Sequence, residues 1–168
     1  MNNIRIAFLG LAALSLAGCG QTDTRQADIQ ALKDSEARWN QEYAAKDLDK
    51  VMAHYTDTSI VMAPGMASSS GPAAIRKTIG EMVKDPAFAL QFHASMVEVS
   101  KSGDVGFTQG SYQMTMTDPA TKQVIHDHGS YVTTYMKQPD GSWKAVADIA
   151  TSEVPPPAPP LSASAAGK

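Results

Sequence analysis

Between residues 28 and 46, Ile29, Leu32, Trp39 and Tyr43 recur at helical spacing among polar groups, with Asp28 placed to cap the start. The pattern predicts an amphipathic helix over 28–46. Asp47 is placed to cap a second, short helix that carries Leu48, Val51, Met52 and Tyr55 on one face. Residues 59–63 read as a short apolar strand closed by Pro64-Gly65. Gly71-Pro72 opens a third helix with Ile75, Ile79, Met82 and Val83 inward, because proline is tolerated at the first helical position. Asp85-Pro86 stops it.

Four strand-like stretches follow, about 88–100, 104–117, 123–137 and 142–152, separated by the turn signals Ser102-Gly103-Asp104, Asp118-Pro119 and Pro139-Asp140-Gly141. Helices first and a meander afterwards predict an α+β fold in which a curved antiparallel sheet wraps the long helix and leaves a conical pocket. No repeat of 20–50 residues is visible.

The two ends read differently. Arg5 precedes an apolar region of twelve residues, Ile6 to Ala17, which is too short to cross about 30 Å of hydrocarbon and reads as an export signal. It ends in Leu16-Ala17-Gly18-Cys19, which resembles the bacterial lipobox, and Cys19 is the only cysteine of the chain. The expected organisation is a lipoprotein signal peptide over 1–18, a tether over 19–27, a folded domain over 28–153 and a disordered Pro-rich tail over 154–168. Cys19 would then be lipidated, and its acyl chains would hold the domain on a membrane it does not cross. Gly20 stands where an inner-membrane retention signal has Asp, so the expected place is the bacterial envelope, on the periplasmic face of the outer membrane in a Gram-negative cell.

Charge and motif content exclude several functions. Fourteen basic against seventeen acidic residues give −3 with no basic stripe, so nucleic acid is not an expected partner. There is no Walker A or dinucleotide fingerprint and no G-x-S-x-G elbow, and no cofactor is expected. His126 and His128 share a strand face, but strand counting places His93 about 9–10 Å away, too far for one zinc, and no metal is expected. His54 reads as a surface residue.

Three segments carry a resemblance. They are Ala44-Ala45-Lys46-Asp47-Leu48-Asp49 with Tyr55-Thr56-Asp57, then Gly71-Pro72-Ala73-Ala74-Ile75-Arg76, and then Gly129-Ser130-Tyr131 through Asp140-Gly141-Ser142-Trp143-Lys144 to Asp148. Together they resemble the SnoaL-like branch of the nuclear transport factor 2-like superfamily, which also holds ketosteroid isomerases. The resemblance implies the cone-shaped α+β fold and a homodimer through the outer sheet face. It also locates the isomerase machinery, whose tyrosine, carboxylate base and oxyanion aspartic acid would fall on Trp39, Ala63 and Thr133. None of the three keeps its chemistry, which speaks against steroid isomerisation by that route.

Turn-based registers, with Thr117 opposite Lys122 and Lys137 opposite Ser142, set Tyr131 opposite Asp148 and put Tyr112 on their face. The expected pocket combines Phe92, Tyr112, Met114, Tyr131, Thr133, Tyr135 and Asp148 with Trp39 and Tyr43 from the helix. Such a pocket suits a small, mostly apolar molecule with one or two polar groups. Asp148 in apolar surroundings, with Tyr131 as partner, could serve as the acid–base of a cofactor-free lyase, isomerase or cyclase. A structural hydrogen bond that stiffens the sheet is the reading ranked ahead for the same pair, because buried polar groups are normally satisfied.

Overall fold

The computed structural model describes residues 23–155. The expected signal peptide, Cys19 and nearly all of the Pro-rich tail lie outside the described residues. Three helices, α1 (Arg25–Ala44), α2 (Leu48–Met52) and α3 (Gly71–Lys84), accompany six strands. The strands are β1 (Tyr55–Met62), β2 (Ser69–Ser70), β3 (Ala89–Val99), β4 (Val105–Thr117), β5 (Val124–Lys137) and β6 (Trp143–Ser152). They form one sheet in the order β2-β1-β6-β5-β4-β3. The fold is the expected α+β cone, and the sheet is mixed because β1 runs parallel to β6 while the other pairs are antiparallel.

Helix α1 begins one turn earlier than the hydrophobic pattern suggests, at Arg25, so Asp28 is not its cap. Instead Asp28 is buried and accepts hydrogen bonds from Thr24 Oγ1 at 2.7 Å and Lys137 Nζ at 2.6 Å. These bonds outweigh the upward push of burial and hold its carboxyl below the usual range. At the other end, Lys46 takes a left-handed φ of 54° and the chain closes a Schellman turn. Its amide donates to Tyr43 O and that of Asp47 to Glu42 O, at 2.9 and 3.0 Å. Asp47 then caps α2 by accepting from Lys50 N at 3.2 Å. The short helix stops at Met52, and Tyr55, expected on its face, opens β1 instead.

The registers differ from simple turn counting. Thr117 pairs with Val124 and Lys137 with Trp143, and a bulge between Thr134 and Tyr135 inserts a further residue. Thr133, not Tyr131, therefore lies opposite Asp148, and Tyr131 lies opposite Ala150. Across β4–β5, and across β5–β6 beyond the bulge, the slip is two residues, and since side chains alternate with a period of two, Tyr112, Tyr131, Thr133 and Asp148 keep their expected face. A second irregularity lies between Ala94 and Met96 in the β3–β4 pairing, and a third between Tyr55 and Ile60 in the β1–β6 pairing.

Bulges and glycines together curve the sheet over α1. A Cβ on Gly110 would lie 1.9 Å from His93 O, and one on Gly129 would lie 1.9 Å from Thr151 O. Only residues without a side chain allow those strands to approach so closely. Leu32, Trp39 and Tyr43 of α1 fill the resulting concavity with Ile75 and Ile79 of α3. Asn40 fastens the helix to the sheet edge, its Oδ1 accepting from Phe92 N and its Nδ2 donating to Phe92 O, both at 2.9 Å.

Because the obstacle at Gly110 is backbone, Gly110→Ala is expected to cost about 3 kcal/mol through strand displacement. A urea unfolding curve measures it, and an unchanged midpoint would show that the bend does not depend on this contact.

Candidate functional site

The open part of the cone holds a cavity of about 100 Å³ between α1, α3, the end of β1 and the concave sheet face. Helix α1 contributes Trp39 and Tyr43, the strands contribute Phe92, Tyr112, Met114, Tyr131, Thr133 and Asp148, and all eight touch the same space. Of the residues expected there, Tyr135 is absent from the wall. It lies further along β5, where it is 1% exposed and its hydroxyl is 3.5 Å from Glu36 Oε1.

Asp148 sits near the centre of the sheet on β6 and retains a partial exposure while lining the cavity. Its Oδ2 accepts from the Tyr55 hydroxyl at 2.8 Å and its Oδ1 from Thr133 Oγ1 at 3.0 Å. Burial pushes its carboxyl upward, and the two hydrogen bonds only partly oppose that. The expected Asp148–Tyr131 pair is not formed, because the two-residue slip carries Tyr131 past it. The Tyr131 hydroxyl instead donates to both Glu36 oxygens at 3.0 Å.

Glu36 is a second buried carboxylate, 5% exposed, also pushed up by burial against hydrogen bonds from neighbouring hydroxyls. Tyr43, Tyr55, Tyr131 and Tyr135 are all pushed up, first by burial, so they stay protonated and act as donors. Sequence reasoning missed Glu36 and Tyr55. Glu36 was visible in principle, since it falls into the stripe Leu32, Glu36, Trp39, Tyr43 at helical spacing. Tyr55 carried no such signal, because its role depends on the strand that follows α2.

His54 is not a surface residue. Its ring stacks on Trp39 with centroids 4.6 Å apart, its Nε2 lies 2.6 Å from Glu42 Oε2, and Ser35 Oγ is 3.4 Å from its Nδ1. Burial pushes its pKa down, against the pull of Glu42. Ser35 sits in mid-helix, where neighbouring N–H groups are spent on α1, so this Ser–His–Glu row lacks the free donors that acyl transfer requires. On the outer sheet face, His93 pairs with Ser111 and His128 with Gln113, leaving the histidines further apart than turn counting places them. Among the described residues no group of three His, Cys, Asp or Glu side chains is placed to share a metal ion.

Trp39, Ala63 and Thr133, on which the resemblance would place the isomerase machinery, all line the cavity. The carboxylate in this chain is elsewhere, on β6.

The family described as the SnoaL-like domain matches residues 32–149. No curated protein matches the chain in sequence. Among solved structures it is similar to a ketosteroid isomerase-like protein from Erwinia carotovora atroseptica, with 20% identity and a TM-score of 0.66 over 76% of this chain and 98% of that one. It is also similar to a nuclear transport factor 2-like superfamily protein from Salmonella enterica, with 12% identity and a TM-score of 0.65 over 77% and 94%. A third is a nuclear transport factor 2-like protein with a cystatin-like fold from Novosphingobium aromaticivorans, with 17% identity and a TM-score of 0.63 over 79% and 86%. At these identities the likeness shows the fold.

A buried carboxyl with a raised pKa favours the folded state while it is protonated in both states. That stability is lost as pH rises from the unfolded value, about 4.3, through the folded one. Glu36→Gln is therefore expected to raise the thermal midpoint at neutral pH, with the gap to the parent closing as pH falls toward the unfolded value. Melting curves across pH test this, and a constant gap would mean that Glu36 titrates normally.

Proposed function

We propose that this chain, which belongs to the SnoaL-like family, is a lipid-anchored envelope protein whose cone cavity binds a small, mostly apolar molecule. The carrying observation is the cavity itself, an aromatic and aliphatic chamber with a carboxylate in its wall. Its size bounds the occupant. An engineered apolar cavity of about 150 Å³ holds a benzene ring, so about 100 Å³ suits a compact molecule and excludes a steroid unless the mouth opens.

The mouth is built for adjustment. Met62 at the end of β1, Met66 in the turn after it, Met82 on α3 and Met114 on β4 all reach the cavity. Unbranched thioether side chains repack at little energetic cost. Steroid isomerase chemistry is not part of the proposal, because Ala63 cannot accept a proton.

One observation favours a catalytic second reading. Asp148 is raised by burial and reaches the cavity, so it could move a proton to or from a bound substrate, with Tyr55 and Thr133 donating hydrogen bonds to its ionised form. This would be a cofactor-free lyase, isomerase or cyclase. If so, Asp148→Asn should abolish turnover of a ligand it still binds.

Support for the anchor comes from sequence alone, from the apolar run and the position of Cys19. Among the described residues no helix is long and apolar enough to cross a membrane.

Two measurements test the reading. Native mass spectrometry of the full chain released from its own membranes in mild detergent is expected to show a bound small molecule of constant mass, and an empty protein would overturn the binding role. Cys19→Ser is expected to move the protein from the membrane to the soluble fraction and to abolish incorporation of labelled fatty acid. Retention with undiminished labelling would overturn the anchor.

A further inference from the structure

The cavity wall holds an acid with no cationic partner. Asp148 lines it, and among the described residues no lysine, arginine or histidine does. The carboxylate accepts one hydrogen bond on each oxygen, from Tyr55 and Thr133, both neutral donors. A carboxylate offers about four lone-pair sites, so about two remain open. A neutral occupant would leave this group either protonated or uncompensated, and an anionic one would meet repulsion at close range.

Around that charge the wall is a connected set of aromatic rings. Trp39 meets Tyr55 at 5.1 Å between centroids and Phe92 at 5.8 Å, Tyr43 meets Phe92 at 6.3 Å, and Phe92 meets Tyr131 at 5.7 Å. These four contacts are edge-to-face, Trp39 and Tyr43 are stacked with centroids 6.2 Å apart, and all five rings line the cavity. Ring faces carry negative potential, and several of them around one point attract a weakly hydrated cation. The apolar wall disfavours a bare, strongly hydrated ion such as sodium, and favours a cation whose charge is spread over methyl groups.

We infer that the cone cavity binds a small alkylated ammonium ion, with Asp148 as counter-ion and Trp39, Tyr43, Tyr55, Phe92 and Tyr131 as an aromatic cage. This deepens the ligand-binding reading and rests on it. A trimethylammonium group matches the site on three counts: it is compact, it presents an apolar surface to the rings, and its charge meets the carboxylate.

The test is isothermal titration calorimetry of the full-length chain with three probes of one shape and different charge. They are choline, its neutral isostere 3,3-dimethylbutan-1-ol, and the anion 3,3-dimethylbutyrate. Choline is expected to bind about tenfold or more tightly than the neutral isostere, with the anion weakest. Asp148→Asn is expected to erase the preference for choline over the alcohol, and Asp148→Glu to keep part of it. The comparison among the three probes on the parent protein stands even where a variant folds poorly.

Equal or tighter binding of the alcohol would overturn the cation and leave the ligand-binding reading intact. The cation is overturned in the same way if none of the probes binds while native mass spectrometry shows a neutral occupant. No binding together with an empty native protein would overturn both. The same headgroup also occurs on lipids, and the two sources separate by competition. Co-sedimentation with phosphatidylcholine vesicles that free choline suppresses, relative to vesicles of phosphatidylglycerol, would assign the lipid headgroup. Choline binding without such co-sedimentation would assign the free ion.

Discussion

The close fit of α1 into the concave face of the sheet is the constraint on which the rest of the molecule depends. The helix brings Leu32, Glu36, Trp39 and Tyr43 along one stripe, and the sheet bends over them because Gly110 and Gly129 permit backbone contacts that any side chain would block. Burying a large apolar side chain contributes about 2 kcal/mol, so this stripe alone accounts for a substantial part of the core. The bend also leaves the chamber. A flat sheet would pack against the helix along its whole length, whereas a curved one closes tightly at the end where Tyr135 sits and stays open where Trp39 and Asp148 both line the cavity.

Into that interior the chain places two carboxyl groups, Glu36 and Asp148, and among the described residues neither forms an ion pair with a cationic side chain. Both are satisfied by hydroxyl donors, Glu36 by Tyr131 and Asp148 by Tyr55 and Thr133. The arrangement contrasts with Asp28 at the end of the same helix, which is also buried but is paired with Lys137. Paired acids lock structure, and Asp28 fastens the start of α1 to the end of β5. Acids supported only by neutral donors keep their ionisation responsive to what lies beside them. Glu36 is sealed at the closed end, so only Asp148 can respond to a molecule entering the chamber.

Much of this was legible in the sequence, and the limits are physical. Helical periodicity marks α1 and α3, and turn residues mark the four long strands, because these signals are local. The face assignment of Tyr112, Tyr131, Thr133 and Asp148 survives the register difference, since the slip is even and alternation is insensitive to even slips. Partner identity does not survive, because a one-residue difference at the β5–β6 turn and the bulge at Thr134 and Tyr135 together exchange Tyr131 for Thr133 opposite Asp148. Tyr55 reads as helical from sequence, since a five-residue helix and the strand after it share apolar residues with no punctuation between them. The parallel pairing of β1 with β6, which sets Val61 beside Asp148, joins residues far apart in sequence and leaves no local mark.

The resemblance to ketosteroid isomerases illustrates how function separates from fold within one architecture. The three positions that would carry that chemistry line the cavity here as Trp39, Ala63 and Thr133, so the scaffold still presents them to a ligand. Their side chains are a ring, a methyl group and a hydroxyl that donates to Asp148. The carboxylate of this chamber lies on β6, beside β1 through Val61 and across from Thr133 on β5. An acid at the end of a strand can swing toward a substrate, but Asp148 is held at mid-strand by two hydrogen bonds from two different neighbours. Such a group is fixed in place before any ligand arrives, which suits a role as a stationary charge in the cavity wall better than that of a shuttling base.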